Sequence, residues 1–149
     1  MSREFRQKTQ KPKIQLQPVL CSSEQFPHIS FRYMTTNKQH SLDYLQHCSV
    51  ADRAKTMEGL LRRFEELTKS SWAKLGALPK ESGGYETISA RQLRFKGSDV
   101  NKEDNKVWVF RFDTWQGHNK GRIIGFKESP CSAFFVIGFD FDFSAYNHG

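Results

Sequence analysis

The sequence predicts an α+β fold: one antiparallel sheet ending in a C-terminal β-meander, with a helical pair packed on one face. Three observations predict it. The apolar runs VWVFRFD, GRIIGFK and AFFVIGFDFD follow one another from Val107 with short polar breaks. A long stretch of three- and four-residue apolar spacing precedes them, from Val50 to Leu67. Strands and helices are segregated along the chain instead of alternating, which argues against a parallel βαβ sheet.

Residues 1–25 read as a flexible basic arm, apolar only around Ile14, Leu16, Val19 and Leu20. Residues 26–149 form one domain. His28 to Met34 alternates as a first strand, with Ile29, Phe31 and Tyr33 on one side. The segment that follows is ambiguous, and Ser41 is placed to cap a short helix through Tyr44 and Leu45. Ser49 to Asp52 has the S-x-x-D form of a capping box. Behind it, Val50, Ala54, Met57, Leu61 and Phe64 make an apolar stripe that Leu60 and Leu67 widen. Ser70 or Ser71 caps a second, short helix carrying Trp72 and Leu75, which Gly76 and Pro79 bring to an end.

Gly83-Gly84 is a turn, Tyr85 to Phe95 a second strand, and the polar run Lys96 to Lys106 a loop. In the meander, Trp108, Phe110 and Phe112 point one way, with Val107, Val109 and Arg111 opposite. Gly117 to Gly121 makes its first connection and Ser129-Pro130 its second.

The totals bound the function. A chain of 149 residues is the usual size of one domain. No run of about 18 apolar residues occurs, so no membrane span is expected. The N-terminus lacks an apolar signal core, which argues against secretion. Three cysteines without CxxC spacing argue against a disulfide framework or a cysteine zinc site, and for a reducing, cytoplasmic setting. Net charge is +7, and the first thirteen residues supply five cations, Arg3 and Arg6 among them, against the single acid Glu4. A basic balance points to nucleic acid or an acidic protein as partner.

The motifs LRRFEELTKSSWAKL, GGYETIS, VFRF, GRIIGF, FDFDFSAY and the near-terminal His148 together resemble small phage- and plasmid-borne members of the RelE/ParE toxin superfamily. The resemblance covers Leu60 to the C-terminus and leaves the arm outside. It implies an RNA-acting, toxin-like protein, a metal-independent endoribonuclease that cleaves mRNA by attack of the ribose 2′-OH. It also implies RNA or the ribosome and an antitoxin protein as partners, and no cofactor. Some relatives poison gyrase instead, and others have no nuclease activity.

Such cleavage needs a base for the 2′-OH, fixed positive charge for the phosphorane, and an acid for the leaving oxygen. Histidine suits the first and last, and arginine suits the second. The resemblance nominates Arg111, Arg122, Tyr146 and His148 as catalytic. Lys127, Trp115, Lys120, Arg3 and Arg6 are candidates for RNA binding, with Trp115 read as an exposed ring able to stack a base. In a regular strand, Arg122 shares a face with Ile124 and Phe126 while Lys127 faces away, unless a bulge at Gly125 intervenes.

Each nominee also has a structural reading. Arg111 would pair with Asp140 or Asp113, Arg122 would mark a strand emerging from solvent, Tyr146 would edge the core, and His148 would be a loose terminus. Asp140 and Asp142 suggest a metal pair, but no third acidic ligand is evident, and the polar face of a strand backed by Phe139, Phe141 and Phe143 is the alternative. No Gly-rich phosphate loop, nucleophile elbow or HExxH motif is present. The alternative function is a non-catalytic module with the same fold that binds nucleic acid or protein.

Overall fold

Helix α1, Val50–Lys69, begins where the capping box predicts: the Ser49 hydroxyl accepts the Asp52 N–H at 3.1 Å. The computed structural model describes residues 26–98, 106–128 and 132–148. The basic arm with Arg3 and Arg6, most of the polar loop after Lys96, and the Ser129-Pro130 connection lie outside the described residues.

The inner face of α1 differs from the expected stripe. Thr56, Leu60, Arg63 and Leu67 are its buried residues, whereas Val50 is 79% and Leu61 61% exposed. A close backbone approach explains the rotation. A Cβ on Gly59 would stand 2.1 Å from the Asp113 carbonyl oxygen, so only glycine lets the helix lie this near the sheet. Thr56, one turn earlier, accepts the Trp115 N–H through its hydroxyl at 3.0 Å. These two contacts turn the Leu60 and Leu67 edge inward, leave Met57 and Phe64 half-buried at its border, and turn Val50 and Leu61 outward.

Ser71 caps α2, Trp72–Ala77, through the Lys74 N–H. Ser41 caps the 3-10 helix Leu42–His47, as its position suggested. The five strands are β1 (His28–Ser30), β2 (Tyr85–Ser89), β3 (Lys106–Thr114), β4 (Gly117–Lys127) and β5 (Ala133–Asp140), ordered β1-β5-β4-β3-β2. The architecture is α+β, with helices packed on the sheet. Strands β2 to β5 are antiparallel, but β1 runs parallel to β5, so the sheet is mixed.

Both β1 and β2 are shorter than their alternation suggested. The chain turns after Ser30, with the Met34 N–H on the Phe31 carbonyl, and leaves β2 at Ser89, whose hydroxyl caps the 3-10 turn Ala90–Gln92. Among the described residues, no helix is long and apolar enough to cross a membrane.

Both faces of the sheet are covered. Under the helices, Phe110, Phe112, Ile123, Phe134, Val136, Phe139 and Phe141 pack with Leu60, Leu67, Trp72 and Leu75. On the other face, Val107, Val109, Ile124, Phe126 and Ile137 pack with Phe95, Ala145 and Tyr146. Near Gly125 a bulge does occur, but on β5, while β4 has its own irregularity further back, between Gly117 and Gly121. Ile124 pairs with Gly138 and Gly125 with Val136, so Ile137 is the extra residue. From Gly121 onward β4 therefore alternates regularly, and Lys127 stays on the helix side.

Candidate active site

Sheet register assembles the charged end of the second face. Arg111 pairs with Arg122, and Arg122 with Asp140, so three charged side chains share one rung of that face. Like charges directly opposite each other destabilise a sheet, so adjoining guanidiniums create a standing demand for anions. Two carboxylates answer part of it. Glu81 Oε1 lies 3.8 Å from Arg111, at the long end of an ion pair, and Asp140 occupies the rung beside Arg122. Neither Asp113 nor Asp140 is the ion-pair partner of Arg111. Arg122, only 6% exposed, donates to the Asn119 and Gly121 carbonyls at 2.6 and 3.0 Å. The Nε atoms of Arg111 and Arg122 are buried and have no hydrogen-bond partner among the described residues.

The tail after β5 folds back over this rung. The buried Asp140 carboxylate organises the turn: Oδ1 accepts the Ser144 and Asp142 N–H groups at 3.1 and 3.4 Å, and Oδ2 the Ala145 N–H at 3.3 Å. Phe143 sits in the left-handed region at φ 61°, where a bulky residue is strained by about 1–2 kcal/mol. Outside anchors hold the turn in place. Gln39 donates to Ser144 Oγ at 2.8 Å, and the Arg94 N–H to the Ala145 carbonyl at 2.8 Å. The paired aspartates thus act as turn-formers, not as the outward face of a longer strand. Phe143 leaves the core side to lie against Arg122, ring centre to guanidinium carbon 5.3 Å.

His148 is not a loose terminus. Its Nε2 lies 2.9 Å from Asp140 Oδ2, and its ring packs 4.0 Å from the Tyr146 ring and 5.0 Å from Phe143. An ionised carboxylate only accepts, so Nε2 carries the hydrogen and Nδ1 is the basic nitrogen of the neutral ring. The Tyr146 hydroxyl donates to Glu86 Oε1 at 3.0 Å, and Lys80 Nζ pairs with Glu86 Oε2 at 2.9 Å.

Burial raises the Tyr146 hydroxyl well above the ordinary tyrosine range, and the Glu86 charge adds to it, with Arg122 pulling the other way. Tyr146 is therefore a neutral donor at neutral pH and not a base. Burial pushes Glu86 upward. The hydrogen bonds from Lys80 and Tyr146, with the Lys80 and Arg111 charges, outweigh this and hold its carboxyl below the usual range.

These groups line a cleft of ≈ 560 Å³ that contains Arg111, Arg122, Tyr146 and His148 together. Lys80, Glu86, His118, Lys120 and Phe143 line it too. All four residues nominated as catalytic, and Lys120, thus meet in one place. A smaller cleft of ≈ 380 Å³ adjoins it, sharing Lys80, Arg111, His118 and Asn119.

Lys127 and Trp115 are elsewhere. Lys127 Nζ lies 4.7 Å above the Trp72 ring on the helix side, and Trp115 is half-buried against Tyr44, ring centres 6.3 Å apart. Trp115 was read as exposed, but its N–H tie to Thr56 draws the hairpin onto α1. Sequence reasoning missed Lys80, Glu86 and Phe143, and missed Asp140 as the partner of His148. The two acids were visible only as polar positions in strands, since register and the turn give them their roles.

No family model, curated protein or solved structure matches the chain.

Proposed function

We propose that this cleft binds the backbone of single-stranded RNA and cleaves it without a metal ion, after the manner of the RelE/ParE-like toxins that the sequence resembles. The observation that carries the reading is His148, oriented by a buried carboxylate beside two register-paired arginines in one cleft. Nδ1 of His148 takes the 2′-OH proton, and Asp140 stabilises the imidazolium that forms. Arg111 and Arg122 hold the non-bridging oxygens as charge builds on phosphorus. The Phe143 ring, 38% exposed at the cleft, offers a face on which a base can stack. Lys80 and Lys120 extend the positive lining along the strand. The proposal places the protein in the cytoplasm, with the ribosome and an antitoxin protein as further partners by resemblance.

The test uses end-labelled mRNA with purified protein in EDTA, with and without translating ribosomes. Cleavage is expected, reduced about 10²–10⁴-fold by His148→Ala and about 10²–10³-fold by Arg122→Ala. Intact RNA in every lane would overturn it. One observation favours a second reading, a cleft that binds RNA without cutting it: the Arg122 guanidinium is already engaged by two carbonyls. That reading predicts salt-sensitive binding that His148→Ala leaves unchanged.

A further inference from the structure

Cleavage by 2′-OH attack requires a second proton transfer, to the departing 5′-oxygen, and none of the groups considered so far supplies it. Tyr146 is held as a poor acid by burial and Glu86, and His148 is committed to the 2′-OH. We propose that His118 is the general acid of the site, an assignment that rests on the nuclease reading above.

His118 lines the same cleft as His148 but enters it from the hairpin end of β4, while His148 comes from the tail. It repeats the arrangement of His148 with a second carboxylate. His118 Nδ1 lies 2.8 Å from Asp113 Oδ1, so Nδ1 carries the hydrogen and Nε2 is the nitrogen left for the substrate. The hairpin is braced to hold that ring. The same Asp113 oxygen accepts the Asn119 N–H at 2.9 Å, and the Asn119 side chain donates to the Glu81 carbonyl at 3.1 Å. Asn119 adopts φ 56°, a conformation asparagine tolerates, and its carbonyl receives Arg122.

The two histidine–carboxylate pairs differ in burial as their roles require. The Asp140 side chain is 0% and His148 21% exposed, whereas Asp113 is 59% and His118 79% exposed. The enclosed pair takes a proton where water would compete. The open pair is in contact with solvent, which returns the proton after it is given up.

The step balances. The 2′-oxygen bonds to phosphorus as its proton passes to His148 Nδ1. His118 enters the step as the imidazolium, with a hydrogen on each nitrogen, and the bond from phosphorus to the 5′-oxygen breaks as Nε2 gives its proton to that oxygen and the ring becomes neutral. The products are a 2′,3′-cyclic phosphate and a 5′-hydroxyl, and solvent resets both rings.

A substrate whose 5′-bridging oxygen is replaced by sulfur tests this, because a thiolate departs without an acid. On ordinary RNA, His118→Ala is expected to slow cleavage about 10²–10⁴-fold, and on the sulfur-bridged RNA to run within about tenfold of the unaltered protein. His148→Ala is expected to remain slow on both. Unaltered rates for His118→Ala on ordinary RNA, or equal slowing on both substrates, would overturn the assignment of His118 alone. An unaltered protein inert on both substrates would overturn it together with the nuclease reading.

Discussion

The two faces of the sheet use the same strands for opposite ends. Under the helices, β3 presents Phe110 and Phe112, β4 Ile123, and β5 Phe134, Val136 and Phe139, all with almost no exposure and several of the rings packed edge to face. Across the sheet, the intervening residues begin as Val107 and Val109 and end as Arg111, and likewise run from Phe126 and Ile124 to Arg122. The first face stores stability. The second spends its apolar half on anchoring the tail at Ala145 and Tyr146, and leaves its charged half lining a cleft. A difference of one residue in phase therefore separates what holds the molecule together from what it can do.

Variants on the helix face should lose stability in proportion to the ring removed. Phe139→Ala, at 1% exposure, is expected to destabilise the protein by about 3–5 kcal/mol in a denaturant titration. On α1, Leu60→Ala should cost about 2–5 kcal/mol, while Leu61→Ala, next to it but 61% exposed, should stay within about 0.5 kcal/mol. Equal losses at the two leucines would contradict the helix orientation that Gly59 sets.

On the cleft face the order reverses, with function lost before stability. Asp140→Asn keeps the side-chain shape but no longer fixes His148 with its Nδ1 basic. It is expected to cut cleavage about 10²-fold or more, at a stability cost of about 1–3 kcal/mol. Tyr146→Phe should cost about 1 kcal/mol and change the pH dependence. The raised tyrosine contributes stability below its ordinary value near 10 that is lost as pH rises beyond it, so removing the hydroxyl should flatten the alkaline limb of the unfolding curve. Glu86 works in the opposite sense. Its lowered carboxyl contributes stability at neutral pH that fades as pH falls through the acid range, and Tyr146→Phe should shrink this limb too by removing a hydrogen bond. The smallest effect is expected of Lys127→Ala, which should leave RNA affinity unchanged because the lysine lies over Trp72 on the helix side.

The meander was legible because alternation is a local signal, and β3, β4 and β5 each lie on their apolar runs, but β4 begins at Gly117, inside the stretch read as the first connection, and β5 stops at Asp140, where the turn takes over. The cap at Ser49 was legible for the same reason. What escaped depended on contacts distant in sequence. The parallel pairing of β1 follows from the open edge of β5, which no residue in His28–Ser30 announces. The inward edge of α1 was signalled only by Gly59, a helix glycine whose meaning appears once Asp113 lies against it.

The candidate site was half visible. Resemblance to a toxin family picked out Arg111, Arg122, Tyr146 and His148, and the fold brings them into one cleft. Their partners Asp140 and Glu86 could not be assigned, nor could Asp113 as the partner of His118, because each is fixed by sheet register or by a turn instead of by spacing along the chain.

The central claim, that the charged half of the second face receives phosphate, is tested most directly by following arginine Nε–H signals by NMR during titration with a 2′-O-methyl oligoribonucleotide, which cannot be cleaved by 2′-OH attack. The account predicts that the Arg111 and Arg122 signals move together and saturate, while that of Arg53, tied to the Leu45 carbonyl on the helix side, stays in place. Unmoved Arg111 and Arg122 signals at saturating oligonucleotide would contradict it.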